Sequence, residues 1–255
     1  MHRDEDFEFA KRMSAWGLND CQVSRLTGIS RTTIRDWRSE RVRSGTHPRR
    51  SNYCPVCGSG ELNDHTYAFL LGLYLGDGCI ATQARGVFRL RISLDDKYPG
   101  IIKACEKAIT GLLSNHALSA GRNQCMGCTE VYSYWKHWPC VFPQHGVGPK
   151  HLRRIKLAQW QQKIVNAHPD HLLRGLIHSD GFRGLNRIRK KGARSQTFYA
   201  YPRYGFTNNS GEIRRIFCDA CEALGVAWRQ MNWKTIAVSR RADVARLDRV
   251  VGPKT

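Results

Sequence analysis

The chain has 255 residues, 41% of them hydrophobic, enough for one domain with a core of ordinary size plus a small appendage. Its 41 Lys and Arg against 21 Asp and Glu leave a formal charge of +20, which repels itself in a compact fold and points to a polyanionic partner whose counterions are released on binding, with nucleic acid as the natural candidate. No stretch approaches the roughly 18 uncharged apolar residues of a membrane span, and the opening MHRDEDFEFAKR lacks the apolar core of a signal peptide, so the expectation is a cytoplasmic, nucleoid-associated protein with no membrane partner.

Residues 5–40 read as three short helices. Phe7, Phe9, Met13 and Trp16 carry the apolar positions of the first, and Gly17 closes it. The second starts at Asp20, which is expected to be its N-cap, and runs through Val23 and Leu26 to Thr27, after which Gly28 permits a sharp turn. Ser30 caps the third, whose inner side carries Ile34 and Trp37. Val23, Leu26, Ile29, Ile34 and Trp37 around a central Gly28 resemble a helix-turn-helix of the kind found in recombinases and small regulators. That resemblance implies a third helix in the major groove, presenting Arg31, Thr32, Thr33, Arg35 and Arg38 to bases and phosphates. A helical packing module with a solvated basic face is the competing reading.

Residues 41–61 are expected to be a basic, Ser-, Gly- and Pro-containing linker that ends in a metal knuckle, Cys54-Pro-Val-Cys57. Ten cysteines in a cytoplasmic chain suggest buried thiols or metal ligands rather than a disulfide framework. A structural zinc at the knuckle needs two more ligands. Cys125 and Cys128, at the same spacing, are the closest match; His137, Cys140, His145 and His151 form a competing group. Cys218 and Cys221 fall on an amphipathic helix and read as buried thiols.

From residue 62 onward the chain looks like one domain made of two similar halves, 62–155 and 156–255. Each opens with an apolar helix ending in Asp-Gly, at Asp77-Gly78 and at Asp180-Gly181, an offset of 103 residues. A basic strand region follows in each. Phe88, Leu90 and Ile92 alternate with Arg89 and Arg91 in the first; Arg187, Arg189, Lys190, Lys191 and Arg203 lie among aromatic residues in the second. Each half then enters a helix after a polar turn and adds further strands, TEVYSY in one and TIAVS in the other.

The segments LLGLYLGDG (70–78) and LRGLIHSDG (173–181) resemble the LAGLIDADG motif at the glycine, the following leucine and the terminal Asp-Gly. The pair is similar to the single-chain, two-motif form of the LAGLIDADG homing endonucleases, over some 190 residues. The resemblance implies an α+β fold of two pseudo-symmetric αββαββα repeats forming a DNA-binding saddle behind the small all-α helix-turn-helix domain. It also implies site-specific, divalent-metal-dependent cleavage of double-stranded DNA. Gly72 and Gly175 would let the two motif helices approach closely, bringing Asp77 and Asp180 together at their C-terminal ends. Two carboxylates there repel each other and the helix dipole, a conflict that two or more Mg²⁺ ions would relieve. The family places a lysine near the start of a late strand in each repeat, which would make Lys136 and Lys234 catalytic alongside the aspartates. A monomer acting on DNA, with no small-molecule substrate, is expected. The alternatives are a catalytically silent regulator with the same two domains, and a subunit of a mobile element.

Overall fold

A computed structural model describes residues 4–38, 52–189 and 198–254. The chain separates into two compact units, Met1–Asn52 and Tyr53–Thr255, so the Cys54–Cys57 knuckle belongs to the second unit and not to a linker. Most of the expected linker, residues 41–51, lies outside the described residues, as do Lys190 and Lys191. Among the described residues no helix is long and apolar enough to cross a membrane.

The first unit holds α1 (Asp4–Ala15), α2 (Asp20–Thr27) and α3 (Arg31–Arg38). Phe7, Ala10, Val23, Ile29 and Ile34 are buried, and Trp37 meets Phe7 edge-on with centroids 5.3 Å apart. The N-cap of α2 is Asn19 rather than Asp20. Its side chain accepts the Cys21 and Gln22 amides at 3.0 Å, while Gln22 accepts the Asn19 amide at 2.9 Å, closing a capping box. Gly28 sits at φ 70°, where a β carbon would be strained, and Ser30 accepts the Thr33 amide at 3.2 Å. Leu26, expected in the core, is 63% exposed, and Phe9 and Trp16 also face outward. An eight-residue helix offers one narrow inner stripe, and in α2 Val23 fills it.

In the second unit the first half runs α4 (Asp64–Asp77), β1 (Gly78–Thr82), β2 (Phe88–Asp95), α5 (Pro99–Thr110), β3 (Gly121–Cys125), β4 (Cys128–Trp135) and the one-turn α6 (Trp138–Val141). After α7 (Gln159–Ala167) the order repeats as α8 (Pro169–Asp180), β5 (Gly181–Arg189), β6 (Phe198–Thr207), α9 (Gly211–Ala223), β7 (Arg229–Asn232), β8 (Thr235–Val238) and α10 (Arg241–Val251). The sheets are antiparallel, ordered β1-β2-β4-β3 and β5-β6-β8-β7. The fold is therefore α+β with two αββαββα halves. Gly78 pairs with Ile92 and Gly181 with Phe206, so the halves also share register at the point where each helix passes into its sheet.

The core lies between the helices and one face of each sheet. In β2, Leu90, Ile92 and Leu94 are buried, while Arg91, Ser93 and Asp95 are exposed, as the alternation predicts. From Tyr67 to Leu75, α4 is buried on all sides, because it packs on its own sheet and, most extensively, on α8. A β carbon on Gly72 would stand 2.6 Å from the Leu172 carbonyl oxygen, and one on Gly175 would overlap the Phe69 carbonyl. Both neighbours are backbone and cannot move aside. Gly72→Ala or Gly175→Ala is therefore expected to cost about 3 kcal/mol, read as a lower denaturation midpoint. Gly184→Ala, which would meet only ordinary contacts beginning at 3.6 Å, should change it little.

Candidate active site and nucleic-acid interface

The helix crossing carries the two acids to one place. Asp77 and Asp180 are each the last residue of their helix, and both are half-buried. A β carbon on Gly76 would sit 3.2 Å from Asp180 Oδ2, which measures how closely the end of α4 approaches the other half's carboxylate. Burial, then the charge of Asp180, pushes the Asp77 pKa up to about 6. Burial also raises Asp180, opposed by Asn208, whose amide donates to Oδ2 at 2.6 Å, and by Lys150 and Lys254. The first-half counterpart of Asn208, by register, is the buried Leu94, which has no donor.

Lys150 and Lys254 were not anticipated from the sequence. Lys150 Nζ donates to the carbonyls of Tyr74 (2.6 Å) and Gly76 (2.7 Å) at the end of α4. Lys254 Nζ donates to Gly181 (2.6 Å) and, at 3.4 Å, to Ser179 at the end of α8. Each lysine thus satisfies orphan carbonyls where the helix dipole is negative and places a cation beside the aspartates. Burial draws the Lys150 pKa down to about 8 and lowers Lys254, while the two acids oppose both shifts. The signal was in the chain: the tetrapeptide Val-Gly-Pro-Lys occurs at 147–150 and again at 251–254, 104 residues apart, almost the spacing of the aspartates.

The expected catalytic lysines do not occupy this place. Lys136 is exposed beyond the end of β4, whereas Lys234 lies in the β7–β8 turn, so the two are not equivalent by register and neither acts on the pKa of either aspartate. Both were expected near the start of a late strand, but Lys136 follows the end of β4 and Lys234 sits in a hairpin turn before β8. A cleft of about 350 Å³ beside Asp180 is lined by Leu75, Gly76, Lys150, Thr207 and Asn208, among others.

On the helix-free face of the first sheet, Arg89 and Arg91 each meet Glu130 at 3.3 Å, and Arg89 stacks over Tyr132 at 4.6 Å. In the second sheet Arg203 pairs with Gly184, and its neighbouring register positions bring Asn186 to Tyr201, hydrogen-bonded at 2.6 Å. Arg187 alternates with Asn186 and shares a face with Arg183, which grips Asp248 of α10 at 2.7 and 2.9 Å. Arg187 is therefore on the helix side, not with Arg203, because side chains alternate at a period of two. Arg189 is on β5 opposite Phe198.

In α3, Arg31, Thr32 and Arg35 are exposed, and Thr33 is half-buried with its hydroxyl 2.7 Å from that of Ser30. Arg38 turns back instead. It donates to Leu18 O at 2.8 Å and Ser14 Oγ at 3.1 Å and pairs with Asp20 at 3.1 Å, so it braces the three-helix unit.

The expected zinc pairing is also corrected. Cys125 and Cys128 face each other across the β3–β4 turn. Cys54 and Cys57 gather instead with His137 and Cys140, all four ligand atoms lying within 4.8 Å of one another. The two candidate groups each contributed half. His145 and His151 remain outside the cluster.

No family model matches the chain, and no curated protein matches its sequence. Solved structures do resemble it. The LAGLIDADG meganuclease I-AabMI bound to uncleaved DNA is 10% identical, with 71% of this chain and 81% of that one covered and a TM-score of 0.45. I-DmoI in complex with DNA and Mn is 12% identical, covering 75% and 99% with a TM-score of 0.46. I-SmaMI bound to uncleaved DNA in the presence of calcium ions is 9% identical, covering 73% and 84% with a TM-score of 0.44.

The raised acid pKa has a stability consequence. A carboxyl whose folded pKa exceeds its unfolded value binds more protons when folded, so stability falls as pH rises through that interval, from 3.8 to about 6 for Asp77. At neutral pH the penalty is fully present. In chelator at about pH 7.5, Asp77→Asn should stabilise the fold by roughly 1–3 kcal/mol, with the gain shrinking toward pH 4. Thermal melts across that range check it; a destabilised variant at neutral pH would contradict the assigned sign.

Proposed function

We propose that the protein binds double-stranded DNA through α3 and the helix-free sheet faces, and hydrolyses phosphodiester bonds at the paired Asp77 and Asp180. The observation that carries this reading is the convergence of two half-buried carboxylates at the ends of crossed helices, within a chain of net charge +20. Such a pair is a poor structural choice on its own, since burial and mutual repulsion both oppose ionisation.

The donor set fits a hard divalent cation. Carboxylate oxygens are the ligands Mg²⁺ takes, and a cation relieves the burial that lifts both acids. Asp77 and Asp180 would hold it; when bound, it would polarise the scissile phosphate and acidify the attacking water. Asn208 orients the Asp180 carboxylate through Oδ2. Lys150 and Lys254 hold the ends of their helices in register and set a positive charge beside the acids, where negative charge develops during phosphoryl displacement. Arg89, Arg91 and Arg203, with Tyr132 and Tyr201, offer the cations and aromatic edges to follow phosphates. Arg31, Thr32 and Arg35 supply base and phosphate contacts in a major groove.

One observation favours a second reading, a regulator that binds without cutting. Lys150 and Lys254 already balance the charge of Asp77 and Asp180, so the quartet can serve as a closed packing unit.

The test is selection of bound and cut DNA from a randomised duplex pool, with and without Mg²⁺. Cleavage by the wild type should fall about a hundredfold or more in Asp77→Asn and in Asp180→Asn, with binding retained. Lys150→Met and Lys254→Met should also impair cutting, whereas Lys136→Ala and Lys234→Ala should leave it nearly unchanged. Affinity should drop about a thousandfold between roughly 50 and 200 mM salt. Binding without any cutting would select the regulator; a flat salt profile would remove both readings.

A further inference from the structure

We propose that Cys54, Cys57, His137 and Cys140 form a tetrahedral zinc site that fastens the segment ahead of α4 to α6. It stands apart from the paired aspartates and does not depend on whether the chain cuts DNA.

The distances fit that metal. With Zn–S bonds of about 2.3 Å and Zn–N bonds of about 2.0 Å, a regular tetrahedron sets sulfurs about 3.8 Å apart and sulfur about 3.5 Å from nitrogen. Cys57 Sγ lies 4.0 Å from Cys140 Sγ and 3.3 Å from His137 Nδ1, and Cys140 Sγ lies 3.8 Å from the same nitrogen. Cys54 completes the set within 4.8 Å. A disulfide needs its sulfurs about 2.05 Å apart, so the Cys57–Cys140 pair is spread for a shared cation, not bonded. Three thiolates and an imidazole also exclude hard ions such as Mg²⁺ and suit zinc.

The surroundings are built for the same purpose. The knuckle is a closed turn: the Gly58 and Gly60 amides donate to Cys54 O at 2.9 and 3.3 Å, and the Val56 amide points at Cys54 Sγ at 3.5 Å, the outer hydrogen bond that steadies a ligating thiolate. A β carbon on Gly60 would run into the Tyr53 carbonyl. On the other side, His137 precedes α6 and Cys140 follows three residues later, a spacing that puts both on one side of a helical turn. The ligands come from segments 80 residues apart, so a shared metal would close a long loop of the chain.

The fastening would reach the helix crossing. The carbonyl of Val141, in α6, accepts the Tyr67 hydroxyl of α4 at 2.7 Å, and Phe142 stacks on Tyr74 at 4.4 Å, one turn before Asp77. A metal holding α6 would hold the outer support of α4.

The full chain, purified without chelator from zinc-supplemented medium, should carry about one zinc per molecule by atomic emission. Cys57→Ser and Cys140→Ser should lose it nearly completely, while the double variant Cys125→Ser/Cys128→Ser keeps it. Cobalt substitution should give the thiolate charge-transfer absorption of a tetrahedral site. His137→Cys covers the case in which the serine variants fail to fold, because it should retain the metal and shift that spectrum toward four sulfurs. A folded, metal-free wild type, zinc lost with Cys125 and Cys128, or an unshifted spectrum in His137→Cys would each overturn the proposal.

Discussion

Gly72 and Gly175 leave no space for a side chain between α4 and α8, and the position of every group in the candidate site follows from that closeness. The two backbones touch near the middle of the helices. One turn later, Gly76 abuts Ser179, and at the next residue the carboxylates of Asp77 and Asp180 are within electrostatic reach of each other. Because each helix runs without a break into the first strand of its sheet, the crossing also fixes the two sheets. A larger residue at the contact would move strands as well as helices.

The crossing creates a charge problem, and the chain answers it twice in the same way. Buried carboxylates at the negative ends of two helix dipoles are unfavourable on three counts: desolvation, dipole and mutual repulsion. Lys150 and Lys254 are drawn in from the tails of their halves, and the ammonium nitrogens of both lie over aromatic rings, those of Tyr74 and Tyr98. Their ammonium groups satisfy helix-end carbonyls and the neighbouring acids together. This dual duty opposes the desolvation that draws the Lys150 pKa down to about 8 and lowers that of Lys254. Aspartates and lysines are best seen as one unit of four.

The α+β class, the duplicated order and the motif helices were legible because they rest on local chemistry: Asp-Gly endings, alternation in 88–94, turn residues before α9. What escaped was set by tertiary placement. Lys136 and Lys234 share a tryptophan neighbour yet occupy different topological positions, which only strand register reveals. Lys150 and Lys254 could have been found from the repeated Val-Gly-Pro-Lys, whose spacing follows the duplication more faithfully than the lysines chosen. The cysteine pairing failed for a related reason. CxxC spacing identifies half of a site, but a hairpin such as 125–128 satisfies the same spacing with its residues turned toward each other. Arg38 has the composition of a groove reader, and its hydrogen bonds to Ser14 and Leu18 spend that charge on the fold.

The halves are alike in topology and unlike in detail, and the differences bear on chemistry. Asp180 has the Asn208 amide to orient it, while the matching position near Asp77 is Leu94. The β5–β6 ribbon is longer than its β1–β2 counterpart, and β8 pairs with β6 only over Tyr204–Thr207, leaving the outer part of the ribbon beyond the sheet with Leu185, Phe198 and Tyr199 exposed. The cluster of Cys54, Cys57, His137 and Cys140 has no counterpart in the second half among the described residues. The repeated strand order would make the two halves equivalent; these departures make them inequivalent. Burial raises both acids, but the Asn208 amide opposes the rise only at Asp180, so the two carboxylates stand in different surroundings. Duplication supplied the paired geometry, and divergence within it gives each half a separate chemical character.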